Sequence, residues 1–152
     1  MNQPSNLDLG VWLEQEALLL LDVPAEELDI EGLSSRSRAI LLAWTLLSEV
    51  GNGGTDQYFF NVGHWVHPTL ESLKCIGAVM TAARLAELAA HYPNGFPSRD
   101  LEDARVEYES LPPAFFDGCT EFDLFLMGDA SNDYKLDEDL APLVYRHANA
   151  CP

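Results

Sequence analysis

The segment Asn52-Gly53-Gly54-Thr55-Asp56-Gln57-Tyr58-Phe59-Phe60-Asn61 dictates much of what surrounds it. Gly and Asn tolerate positive φ, so Asn52-Gly53-Gly54 is expected to stop a helix arriving from the N-terminal side. Thr55 is placed to cap a short helix that follows, and Tyr58, Phe59 and Phe60 are expected to fill core space. Gln57 and Asn61 can satisfy exposed backbone groups nearby. Alternatively, Asn52, Gln57 and Asn61 can line a polar pocket.

Helix-period apolar spacing dominates the flanks, and long alternating strands are missing. A first helix is expected over about Leu7 to Asp22, with Leu9, Trp12, Leu13 and Leu20 on its apolar side. Pro24 opens an acidic connection. Ser34 or Ser35 caps the next helix, whose Ile40, Trp44 and Leu47 share one face. Pro68 fits the first turn of one long helix reaching about Ala90, with Leu70, Leu73, Ile76, Val79, Met80, Ala83 and Leu88 inward. Pro93 to Pro97 reads as a loop. Leu101 to Leu111 reads as a helix that Pro112-Pro113 ends. Two more helices follow around Glu121–Met127 and Asp137–Ala148, the second disturbed early by Pro142. The expected fold is all-α, a compact multi-helix bundle forming a single domain over residues 1–152.

The charge restricts the partners. The chain holds 25 acidic and 8 basic residues, a formal net charge of −17. Residues 1–76 carry 11 acids against 3 bases and residues 77–152 carry 14 against 5, so the surplus is not confined to a tail. Such a surface repels nucleic acid and anionic lipid and attracts basic proteins and cations. The longest apolar run, Ala39 to Leu47, falls far short of the roughly 20 residues of a membrane span. No secretory signal is read at the N-terminus, and Cys75, Cys119 and Cys151 suggest neither a disulfide framework nor a thiolate zinc site. A cytoplasmic setting is the simplest reading.

Catalytic and metal signals are weak. There is no phosphate loop, dinucleotide fingerprint or nucleophile elbow. Cys75 falls in an apolar helix pattern and reads as core; Cys119 falls in a more irregular stretch. His64 and His67 are three apart, but Pro68 marks a loop-to-helix junction and no third ligand is fixed by spacing. Asp129, Ser131, Asp133 and Asp137 approach a calcium loop, yet Tyr134 stands where the turn needs Gly and Leu140 where the bidentate Glu belongs. No catalytic residue, metal or cofactor is therefore assigned, and the chain is not expected to be an enzyme.

Leu47-Ser48-Glu49-Val50, Asn52-Gly53-Gly54, Gln57-Tyr58-Phe59, Asn61 and Gly63 together resemble the bacterial DNA-mimic protein (DMP-type) family. Leu73-Lys74, Ile76-Gly77-Ala78, Phe122-Asp123 and Leu143-Val144-Tyr145 extend the resemblance over about residues 34–149. Thr55 departs from the aromatic that usually follows the Gly-Gly pair. The resemblance implies an all-α domain, often dimeric, and, for the mimic that names the family, binding to a DNA-binding protein.

Mimicry needs carboxylates in rows, and residues three or four apart on a helix sit about 5–6 Å apart at Cβ. Three groups of candidate partner-binding acids follow: Glu26, Glu27, Asp29 and Glu31; Asp100, Asp103 and Glu107; and Asp129, Asp133, Asp137, Glu138 and Asp139. The family motif Asn52, Gly53, Gly54, Gln57, Tyr58, Phe59 and Asn61 reads as structural. The expected partner is a basic protein, either a DNA-binding transcription factor bound through DNA mimicry or a nuclease-like effector neutralised as by an immunity protein. Direct nucleic-acid binding is not expected. A small-ligand or metal-dependent enzyme built near residues 52–67 is a further alternative.

Overall fold

The computed structural model describes residues 5–23 and 28–150. Pro24, Glu26, Glu27 and Cys151 lie outside the described residues. Within them the protein is all-α: eight α-helices, two single 3₁₀ turns and no strand. The helices are α1 Asn6–Leu20, α2 Ser35–Gly53, α3 Thr55–Val62, α4 Val66–Cys75, α5 Val79–Ala89, α6 Leu101–Tyr108, α7 Pro113–Met127 and α8 Leu140–Ala150.

Local chemistry starts the first two. Ser5 and Asp8 form a reciprocal capping box on α1: the Ser5 hydroxyl accepts from Asp8 N–H and the Asp8 carboxylate accepts from Ser5 N–H. The Ser5 bonds hold Asp8 below its ordinary carboxylate range. Leu9, Leu13 and Ala17, four apart, form the buried side of α1. Ser34 caps α2, accepting from Ser37 N–H at 3.1 Å. Ala39 to Ala43 are buried without interruption, the pattern of a helix enclosed on all sides. Accordingly α2 packs against α1, α3, α4, α7 and α8.

The expected long helix over Pro68 to Ala90 is two helices. Gly77 takes φ +81°, Ala78 N–H donates to Leu73 C=O at 2.8 Å and Gly77 N–H to Lys74 C=O at 3.1 Å. That is a Schellman ending, and glycine supplies the left-handed residue it needs. The break resets the helical phase. Val79, Met80 and Ala83, expected inward, are exposed, and Cys75, expected in the core, is exposed at the end of α4.

A second correction lies at Pro112-Pro113. The pair ends one helix and also starts the next: Pro113 occupies the first turn of α7, which begins well before Glu121. Cys119 is therefore inside a helix and buried, and burial pushes its thiol up to about 12. Such a thiol is protonated at neutral pH and is no nucleophile. Pro142 lies in the first turn of α8, where its missing N–H costs no intrahelical bond.

The core gathers around aromatic rings. Phe115 makes edge-on contacts with Phe59, Tyr92, Tyr108 and Phe116, and Phe59 also meets Tyr58. Phe60, expected in the core beside them, is 40% exposed; it packs edge-on against Tyr108 with the Arg105 guanidinium over its ring. The fully buried Tyr58 hydroxyl donates to Thr69 Oγ1 at 3.0 Å, and burial raises its phenol above the usual range. Tyr58→Phe is expected to cost about 1–2 kcal/mol, because it leaves the buried Thr69 hydroxyl without this partner; urea unfolding checks it.

Candidate functional site

The Asn-Gly-Gly turn is built from both ends. Asn52 and Gly53 complete the last turn of α2, and Gly54 alone makes the turn, with φ +93°. Helix α3 then begins at Thr55, which is fully buried. Thr55 does not cap the helix with its own oxygen. Its N–H and hydroxyl donate at 2.7 and 2.5 Å to Oδ1 of Asp123, which arrives from α7. A carboxylate supplied from 68 residues away thus meets the positive end of α3.

The polar residues of the motif converge on an acid. Gln57 Nε2 and Asn61 Nδ2 donate to the same oxygen of Glu49, at 3.0 and 2.9 Å, tying α3 to the last turns of α2. Asn52 is exposed and makes no side-chain bond to them. The arrangement is a structural clasp, and the polar pocket of Asn52, Gln57 and Asn61 is not assembled.

The acids expected to face a partner divide by what they do in the fold. Asp100 caps α6, accepting from Asp103 N–H at 3.0 Å. Half-buried Glu107 accepts from Ser98 N–H at 2.8 Å and holds the loop before α6. Asp129 accepts from the N–H and hydroxyl of Ser131, and these bonds keep its carboxyl below its usual range. Asp139 accepts from Ala141 N–H at the start of α8. Glu138 crosses to α5 and accepts from Met80 N–H, Thr81 N–H and the Thr81 hydroxyl at 3.1, 2.6 and 2.5 Å. Glu31 lies between two guanidinium groups, Arg99 at 3.5 Å and Arg38 at 3.8 Å. Asp29, Asp103, Asp133 and Asp137 are exposed and make no side-chain bond among the described residues. These four can meet an outside charge; the other described candidates of the three groups are already engaged.

Further free acids escape a reading by local runs. Glu87 on α5, Glu109 after α6, and Asp117 and Glu121 on α7 are all exposed without an ion pair among the described residues. Asp117 and Glu121 are four apart on one helix face, which is the one signal that could have found them. Five of the eight cations are engaged instead, while Lys74, Lys135 and Arg146 are exposed without an ion pair among the described residues. Arg36 pairs with Glu16, Arg38 and Arg99 with Glu31, Arg105 with Glu102, and Arg84 lies over the Phe125 ring.

His64 and His67 have separate contacts, and no group of three metal-ligating side chains occurs among the described residues. His64 sits in a 3₁₀ turn against Trp65, and burial followed by the nearby Arg105 charge lowers its pKa. His67 bonds Arg99 at 2.7 Å and packs on Phe96. A cavity of about 470 Å³ lies beside His64, lined also by Leu28, Asn61, Val62, Trp65, Leu101 and Arg105. Among the described residues no helix is long and apolar enough to cross a membrane.

The family model described as DMP19-like protein matches residues 31–148, most of the chain. The chain belongs to the DMP19-like family. No curated protein and no solved structure matches it. The DMP19-like span takes in the Glu49 clasp, the Gly54 turn and the Asp123 and Glu138 caps. The DNA-mimic resemblance read from the Asn52–Asn61 segment and this family match agree.

Proposed function

We propose that this protein is a non-enzymatic DNA mimic, which occupies the nucleic-acid site of a basic DNA-binding protein. The observation that carries the reading is the imbalance of free charge on a DMP19-like fold. Among the described residues Asp29, Asp103, Asp117, Glu121, Asp133 and Asp137 are exposed and unpaired, whereas four of the eight cations, Arg36, Arg38, Arg99 and Arg105, are held by the protein's own carboxylates and only Lys74, Lys135 and Arg146 are exposed without a pair. A surface of this sign suits a partner whose Lys and Arg normally meet phosphates. It also favours fast, salt-sensitive encounter.

The test is affinity capture from host lysate, eluted along a salt gradient, with duplex DNA as competitor. The expected result is a DNA-binding protein held at low salt, released as screening shortens the Debye length to below about 8 Å, and displaced by duplex. A partner that duplex does not displace removes mimicry and leaves the immunity-type reading. The triple variant Asp103→Asn, Asp133→Asn, Asp137→Asn is expected to weaken the captured complex by about tenfold, or 1.4 kcal/mol, chiefly through slower association; stopped-flow binding at two salt concentrations reads this.

A further inference from the structure

The outer face of α7 is not uniformly acidic. Taking about 100° per residue, Phe116, Thr120, Leu124 and Met127 fall in one stripe about 80° wide, beside rather than opposite the buried face of Phe115, Cys119, Phe122 and Leu126, and Phe116 packs edge-on against Tyr108 and Phe115. Phe116 is 38% exposed, Leu124 50% and Met127 43%. At 1.5 Å per residue the ridge is about 16 Å long, roughly three turns.

Carboxylates border this ridge on both sides. Asp117 and Glu121 follow one edge. Toward the other lie Asp123, whose Oδ1 is taken by Thr55, and Asp56: the second oxygen of Asp123 and one oxygen of Asp56 each stand 3.1 Å from the point where a Cβ on Gly54 would be. No Lys or Arg occurs in α7 itself. Two cations stand on the Glu121 side: Arg84 in the α5–α7 groove, over Phe125, and Lys135, which lines a neighbouring groove with Glu121, Leu124 and Asp137.

We infer that the α7 ridge is a docking surface for a basic amphipathic helix, which lays its apolar side on Phe116, Leu124 and Met127 and its Lys or Arg residues along the two acidic edges. Charge selects this occupant. A second copy would bring its own Asp117, Glu121 and Asp56 against the same residues, and like charges facing one another repel. A straight three-turn ridge suits a helix, the helix-in-groove mode of recognition. The inference rests on the basic-partner reading and deepens it, since an apolar centre adds an attraction that salt does not screen.

The experiment uses the full chain and three synthetic peptides: an 18-residue Leu/Lys peptide with leucines at helical spacing, a scrambled peptide of the same composition, and oligolysine of equal charge. Fluorescence anisotropy is measured at 0.05 and 0.5 M NaCl. At 0.5 M salt the amphipathic peptide is expected to bind at least tenfold tighter than the scrambled one. Leu124→Ser with Met127→Ser should abolish that advantage while leaving the circular dichroism spectrum intact, since both side chains are about half exposed. Equal binding of the two Leu/Lys peptides, or an unchanged double variant, overturns the inference. If oligolysine binds at low salt but the amphipathic peptide gains nothing, the acidic-surface reading stands and this one falls. If none of the three binds at low salt, both fall. A dimer in sedimentation that Leu124→Glu splits assigns the ridge to a second copy and also overturns the inference.

Discussion

Phe115→Ala is expected to destabilise the protein by about 3–5 kcal/mol and to lower its thermal midpoint by roughly 10 °C. Phe115 is fully buried, and its ring is met by Phe59, His91, Tyr92, Tyr108 and Phe116. These rings come from α3, the segment after α5, α6 and α7, so one side chain joins elements far apart in sequence. Its loss removes the transfer energy of a phenyl group and also opens a cavity walled by rings, which cannot collapse into it without leaving their edge-on contacts. The neighbouring Phe116→Ala is a useful control: that ring is 38% exposed and should cost only about 1 kcal/mol. Urea unfolding followed at 222 nm distinguishes the two. Equal losses would mean that the ring cluster does not carry the core.

Glu138→Ala is expected to cost about 2–4 kcal/mol, whereas Asp137→Ala should change stability by less than about 0.5 kcal/mol. The residues are adjacent and both acidic, but their tasks differ. Helix α5 begins after Ala78, which has no capping side chain. Glu138 supplies the missing acceptor to Met80 and Thr81, and Thr81 is fully buried. Removing it leaves three donors without their acceptor, at least one of them inside the protein. Glu138→Gln retains a carbonyl acceptor and should recover about half of the loss. The same variants separate folding from binding: Asp137→Asn belongs to the partner-facing set, while a Glu138 effect on binding should track the loss of folded protein. Amide hydrogen exchange at Met80 and Thr81 gives the local measure, and protection there that survives Glu138→Ala would refute the cap.

Much of the helical order was legible in the sequence because it is carried by local signals. Ser34 caps α2, and the loop around Pro93–Pro97 lies where turn residues placed it. The misread boundaries have local causes too. An apolar period that runs on across Gly77 hides the break there, and the Pro112-Pro113 pair signals the end of α6 more plainly than the start of α7. The roles of the acids were less legible, because capping in this protein is often done at a distance. Asp123 caps a helix 68 residues earlier, and Glu138 meets Thr81 across 57. No spacing rule distinguishes them from Asp117 or Asp137, which have the same chemistry and face water. Likewise Gln57 and Asn61 announced polar work, but their partner, Glu49, looked like one more helix carboxylate.

Distant capping gives the acidity of this chain a floor. Asp8, Glu49, Asp100, Glu107, Asp123, Asp129, Glu138 and Asp139 each accept from the protein's own donors, local or distant, so a reversal of charge at any of them would set a cation against N–H, O–H or amide donors. A variant redesigned to be neutral, or even basic, could exchange Asp29, Asp103, Asp117, Glu121, Asp133 and Asp137 and would still have to keep these eight. Part of the negative charge is thus architectural and would persist in a relative that binds nothing acidic or basic at all. The informative comparison between two such proteins is where their carboxylates remain idle, since total charge mixes what the fold consumes with what it leaves on offer.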